Sequence, residues 1–246
     1  FVLRERRLRW PVDVRLVHEL PGQRVVEVRR RAKYLLIELE RGTLIAHLGM
    51  SGSLRVLEAS APLLAHDHYD LLLDCGRCLR FNDPRRFGCL LWETGDPEAH
   101  PLLSSLGPEP LERGFDADYL SSRARGRRVA IKQFLMDQRI VVGVGNIYAS
   151  EALFRAGINP RRAAGRVSRD RLGQLVEAVQ DVLGAAIRQG GTTLRDYVNA
   201  DGTPGYFRQE LYVYERVGEP CRRCGAPIRQ VTQGQRSTYF CPACQR

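Results

Sequence analysis

The chain has 246 residues, of which 43% are hydrophobic and 27% charged, with a formal net charge of +10 and an isoelectric point near 9.6. That length supports one to three compact units with their own cores, the composition excludes a low-complexity tail, and the charge makes a polyanion the expected partner. No apolar run approaches the roughly 18 residues of a membrane span, and the opening FVLRERRLRW is too basic for a secretion signal, so a cytoplasmic protein without a membrane role is expected.

Residues 1 to about 105 carry RVVEVRRRAKYLLIEL, GTLIAHLGMSGSLRVL, HYDLLLDCGRCLRF and GCLLW, short runs rich in Val, Ile and Leu between turn residues. They predict an antiparallel β-sandwich or barrel. Met50 sits in the Gly-Ser-rich turn of HLGMSGS, where core packing and an apolar wedge are both open readings. His66-Asp67-His68 is a poor metal set without further ligands, and phosphate contact or a core hydrogen bond suits it better. Cys75-Gly76-Arg77-Cys78 falls at a turn between strands and not at a helix start, so Cys75, Cys78 and Cys89 are read as structural. In FNDPRRFG, Asp83-Pro84 sets a turn that presents Arg85, Arg86 and Phe87. An aromatic flanked by arginines suits entry into a base stack; an ordinary hairpin with Phe87 packed inward is the other reading.

GPEP at 107–110 has linker composition, and from Asp116 the texture turns helical. IVVGVGNIYASEALF predicts a helix over about Ile147 to Ala156. Gly143, Gly145 and Asn146 lead into it, as a phosphate-binding helix start or as a structural corner. Leu172, Leu175, Val176, Val179, Val182, Leu183, Ala186 and Ile187 keep helical spacing on one face of a second helix, with Ser168 as cap and Gly190-Gly191 as stop.

From about Gly218 the chain is too short to bury a core unaided. Cys221, Cys224, Cys241 and Cys244 form two C-x₂-C knuckles, the donor set of one structural Zn²⁺. Arg216, Arg222, Arg223, Arg229, Arg236 and Arg246 face a single acid, Glu219, which suits a zinc ribbon lying on DNA, with Arg236 near a hairpin tip. Of the 38 basic residues, 36 are arginine and only Lys33 and Lys132 are lysine. A lysine amine can exchange its proton where an arginine cannot, which singles both out for chemistry or tight packing.

Taken in order, RLRWPV, RRRAKYLLIEL, HLGMSGSLR, HDHYDL, NDPRRFG, LGPEPL, AIKQFLMDQRIVVGVGNIYASEALFRAGI, GGTTLRDY, DGTPGYFRQELYVYERVGEPC and the four-cysteine finger resemble the bacterial formamidopyrimidine-DNA glycosylases over nearly the whole chain. The resemblance implies an α+β multidomain protein: an N-terminal β-sandwich over 1–106, a helix–two-turn–helix domain over 107–215 and a zinc-finger hairpin over 216–246. It implies a monomer that flips oxidised purines out of double-stranded DNA, removes them and nicks the abasic site by β,δ-elimination. It assigns Lys33 to β-elimination and Arg236 to the δ step. Met50, Arg85 and Phe87 would fill the vacated space, and His66, Arg127 and Asn146 would hold phosphates. Lys132 would contact DNA or lesion. The family's Pro-Glu start, which supplies the Schiff-base amine, has no counterpart here, so the chain as written is expected to bind DNA without excising bases. A non-catalytic damage-binding protein and an endonuclease VIII-like enzyme for oxidised pyrimidines are the alternatives; NDPRRFG and HDHYDL speak against the second.

Overall fold

A computed structural model describes residues 1–189 and 211–246, which fall into two compact units. The Gly190-Gly191 helix stop and the motifs between 190 and 210 lie outside the described residues.

The first unit is Phe1–Ser104. Its strands are β1 (Val2–Leu3), β2 (Val25–Arg31), β3 (Tyr34–Leu39), β4 (Gly42–His47), β5 (Ser53–Glu58), β6 (Asp67–Leu72), β7 (Arg77–Asn82) and β8 (Cys89–Glu93), with a short helix α1 (Leu16–Glu19). They form two antiparallel four-stranded sheets, β1-β6-β7-β5 and β2-β3-β4-β8. Ile37, Leu39, Leu44, Ala46 and Leu90 from one sheet share a core with Tyr69 and Phe81 from the other, joined by Leu8, Val12, Leu16 and Leu20. This is the sandwich expected from the sequence, and burying the apolar faces of both sheets is what drives it. Inside it, Arg80 is 2% exposed and is neutralised by Asp70, whose oxygens accept from Nε and Nη2 at 2.9 and 3.0 Å. Ala61 and Pro62 carbonyls take its Nη1. A buried guanidinium survives only with this degree of pairing.

The stretch written as one strand-like run around Lys33 is two strands. Ala32 has φ +54 and, with Lys33, makes the two-residue turn between β2 and β3, so Lys33 stands exposed at a hairpin tip. Cys78 and Cys89 are buried, whereas Cys75 is exposed in its turn and carries no packing role.

The second unit holds α2 (Ala117–Ala124), α3 (Ile131–Met136), α4 (Asn146–Arg155) and α5 (Arg169–Arg188), and the hairpin β9 (Arg229–Gln233) and β10 (Arg236–Phe240). Asp116 caps α2, its carboxylate accepting from the Tyr119 N–H at 2.8 Å. Ser168 holds the cap position of α5 but makes no side-chain bond there; Asp170 supplies negative charge to the first turn. The apolar stripe of α5 is buried from Leu172 to Ala186, but Ile187 is 66% exposed: the core ends two residues short of the helix end. Gly234 and Gln235 both take positive φ, +52 and +62, the geometry of a tight hairpin turn. Among the described residues, no helix is long and apolar enough to cross a membrane.

Candidate nucleic-acid interface

In the first unit the site is built by a buried carboxylate. Asp83 is fully buried, and its Oδ1 accepts from the Ser51 hydroxyl at 2.8 Å and the Arg85 N–H at 3.2 Å. Oδ2 accepts from the Gly88 N–H at 2.8 Å. The same residue's carbonyl meets His68 Nε2 at 2.7 Å, and its N–H donates to the His66 carbonyl at 3.1 Å. One side chain thus ties the turn after β4 to the turn after β7. The two turns touch through backbone: a Cβ on Gly49, which has φ +70, would lie 2.6 Å from the Gly88 nitrogen and the Phe87 carbonyl carbon. Only glycine satisfies both demands there.

What the paired turns display is exposed. Met50 is 59% exposed and Phe87 45%, which removes the core-packing reading of both. The Arg85 guanidinium lies 4.8 Å from the Phe87 ring centroid, a stacked cation on an aromatic face. Arg86 does not join them; with φ +57 it turns back to Glu5, 3.4 Å away. The His pair divides as well. His68 is buried and bonded to Asp83, and His66 is exposed at φ +72. Behind Lys33, the His47 ring stands 4.9 Å from that of Tyr34 and accepts the Gly49 N–H on Nδ1 at 2.9 Å. Burial, then the Lys33 and Arg9 charges, push the His47 pKa down, which keeps that acceptor unprotonated.

In the second unit Lys132 is 1% exposed, and its ammonium donates to Asn146 Oδ1 at 2.5 Å, to the Ser237 carbonyl at 2.9 Å and to Thr238 Oγ1 at 2.8 Å. Burial, with the Arg236 charge second, lowers its pKa to about 8. The expected direct contact of Lys132 with DNA or lesion therefore gives way to an internal role: it fixes Asn146, at the start of α4, to the strand that carries Arg236. Asn146 has its oxygen occupied, while its amide is 3.5 Å from the Tyr214 hydroxyl. Arg127 and Arg236 are exposed.

Sequence reasoning missed Asp83 as a hub, since Asp-Pro reads only as a turn signal, and missed Glu151 altogether. Glu151 is 1% exposed inside α4, and its carboxylate accepts from the N–H groups of Tyr212, Val213 and Tyr214 at 2.8, 3.0 and 2.9 Å. Burial pushes its pKa up against those three donors. An acid in the apolar run IYASEALF was the available signal.

The four finger thiols lie within 4.8 Å of one another, with Cys224 and Cys241 sulfurs 3.5 Å apart. A tetrahedron of thiolates about 2.3 Å from Zn²⁺ has edges of about 3.8 Å, so the set fits the ion. The Arg223 and Cys244 N–H groups donate to the Cys221 and Cys241 sulfurs at 3.4 Å each, orienting the lone pairs. These four cysteines hold one structural zinc.

The comparisons with known proteins agree across the chain. Residues 1–90 match the Formamidopyrimidine-DNA glycosylase N-terminal domain, 106–198 the Formamidopyrimidine-DNA glycosylase H2TH domain, and 218–246 the zinc finger found in FPG and IleRS. The formamidopyrimidine-DNA glycosylase of Thioalkalivibrio sulfidiphilus is 62% identical, covering 100% of this chain and 90% of that protein. That of Methylococcus capsulatus is 59% identical over 99% and 90%. Among solved structures, MutM (Fpg) of Thermus thermophilus aligns with a TM-score of 0.83 at 42% identity, covering 91% of this chain and 84% of that one. Lactococcus lactis Fpg bound to DNA containing Fapy-dG aligns at 0.89 and 32%, covering 100% and 91%. The same protein on abasic DNA aligns at 0.85 and 34%, covering 94% and 86%.

Proposed function

This chain belongs to the formamidopyrimidine-DNA glycosylase family, a base-excision DNA glycosylase and abasic-site lyase acting on oxidised purines, and on that premise we propose how its own residues handle the DNA. The observation that carries the reading is the Asp83-bound pair of turns. Met50, Arg85 and Phe87 are held out on a rigid backbone, ready to occupy the gap left when a base leaves the stack. Arg85 supplies donors to the base left opposite, and the stacked Phe87 keeps its guanidinium from collapsing onto the surface.

His66, Arg127 and Asn146 contact phosphates, Asn146 through its amide and the N–H groups of the α4 start. Lys33, on its hairpin tip, shuttles protons during β-elimination at the abasic sugar, where loss of the C2′ proton expels the 3′ phosphate. In the second elimination Arg236 binds the departing phosphate through its guanidinium fork. Duplexes with Fapy lesions and abasic sites, the DNA held by the Lactococcus lactis relative, are its expected ligands, engaged as a monomer at the bacterial nucleoid.

The test is equilibrium binding of the protein to a duplex with an uncleavable abasic analogue and to the intact duplex. Preference for the first, lost in a Met50→Ala/Phe87→Ala variant, supports the reading. Equal affinity of the unaltered protein for both overturns it.

A further inference from the structure

Several arginines of this chain are matched by carboxylates: Arg4 and Arg80 by Asp70, Arg15 by Asp13, Arg139 by Asp137, Arg169 by Asp118, Arg216 by Glu219. A group gathered in one cleft is not. A concave cleft of about 680 Å³ in the second unit is lined by Asn159, Arg161, Arg162, Ala163, Arg166 and Arg246, with no acidic side chain. All four arginines are exposed, and among the described residues none makes an ion pair or a side-chain hydrogen bond. Like charges gathered this closely repel one another, and an anion relieves that cost.

The cleft is rigidly placed. The Asn159 side chain accepts the Arg161 N–H at 3.0 Å, and its backbone N–H donates to the Arg246 carbonyl at 3.3 Å. Arg171 holds that same carbonyl at 3.1 Å and the Gly157 carbonyl at 2.7 Å. The segment is also wired to the interface above. Ile131 donates to the Arg162 carbonyl at 2.7 Å, Lys132 to the Pro160 carbonyl at 3.3 Å, and Gly165 to the Arg127 carbonyl at 3.0 Å. Gln233, beside the hairpin turn, reaches the Pro160 carbonyl at 3.4 Å.

We propose that this cleft is a second phosphodiester site, which carries the duplex backbone beyond the lesion-proximal contacts. The proposal rests on the DNA reading above and extends its footprint. DNA is favoured over an acidic protein because the segment that lines the cleft is hydrogen-bonded to the backbone of Arg127 and Lys132. Moreover, residues 157–167 expose no large apolar side chain to anchor a protein partner. Guanidinium forks pair with phosphate oxygens in two-point fashion, which suits a backbone and needs no base sequence.

The experiment measures the salt dependence of affinity for an intact duplex of about one helical turn and one of about three. It uses the unaltered protein and Arg161→Gln/Arg162→Gln/Arg166→Gln. Each phosphate neutralised adds about 0.9 to the log–log slope. The unaltered protein should therefore have a steeper slope on the long duplex, and the triple variant should lose about 2 to 3 of it there and nothing on the short one. Zinc content and unfolding midpoint should not change, since the three side chains are exposed. Equal slopes of the unaltered protein on both lengths overturn the proposal without any variant. So does a folded variant that keeps the long-duplex slope, or one whose loss is the same on both lengths. Because intact DNA is used, failure of lesion preference would overturn the functional reading and leave this comparison standing.

Discussion

The Lys132 ammonium donates to the Asn146 side-chain oxygen at 2.5 Å and to two oxygens of β10 at 2.8 and 2.9 Å, so one buried cation aligns the start of α4 with the strand bearing Arg236. Three acceptors on two elements define its position, and replacing it leaves all three without a donor.

Lys132→Met should therefore destabilise the second unit by about 3 kcal/mol, from several buried acceptors left unpaired at about 1 kcal/mol or more each. It should also weaken DNA binding, although Lys132 is not on the surface. Urea unfolding and a binding titration measure the two. Unchanged stability would show the three bonds to be dispensable.

The same lysine gives a pH dependence. Its pKa is about 8 in the fold, against about 10.4 in an unfolded chain. Between those values the unfolded chain binds the extra proton, so the lysine's contribution to stability rises with pH there and is smallest below pH 8. DNA binding should move the other way, since above pH 8 the neutral amine loosens its hold on Asn146. The stability of the unaltered protein relative to Lys132→Met, followed from pH 7 to pH 10, should climb; a fall would refute the assignment.

Asp83→Ala removes the acceptor for Ser51, Arg85 and Gly88 at a fully buried position. A loss of about 2 to 4 kcal/mol is expected for such a hub. Asp83→Asn keeps the shape and should lose less. Both should bind intact duplex almost normally and abasic duplex poorly, because what fails is the support of the wedge.

Phe87→Ala should leave stability within about 0.5 kcal/mol, as expected of an exposed side chain. It should cost abasic-duplex affinity several-fold more than intact-duplex affinity. Equal losses on the two DNAs would make the turn a phosphate clamp only.

Chelation of zinc should abolish DNA binding and unfold β9 and β10, because about 30 residues around four cysteines bury too little to fold alone. Metal analysis should return one zinc per chain, and Cys224→Ser should lower that value.

The sequence by itself determined what depends on local pattern. Strand and helix periods, the two C-x₂-C knuckles, the loop chemistry of FNDPRRFG and the lone lysines are each written within a few consecutive residues, where spacing alone dictates geometry. The tertiary structure decided what depends on which distant groups are buried together. It turned Lys132 inward, 105 residues from its partner Ser237, and sent Arg86 to Glu5. It made Asp83 the brace of two turns, Ser51 lying 32 residues earlier, and spent Glu151 on three backbone donors some 60 residues on. Burial is a property of the assembled fold, and a polar group's role changes with it: exposed, it waits for a ligand; buried, it must be satisfied by the protein itself.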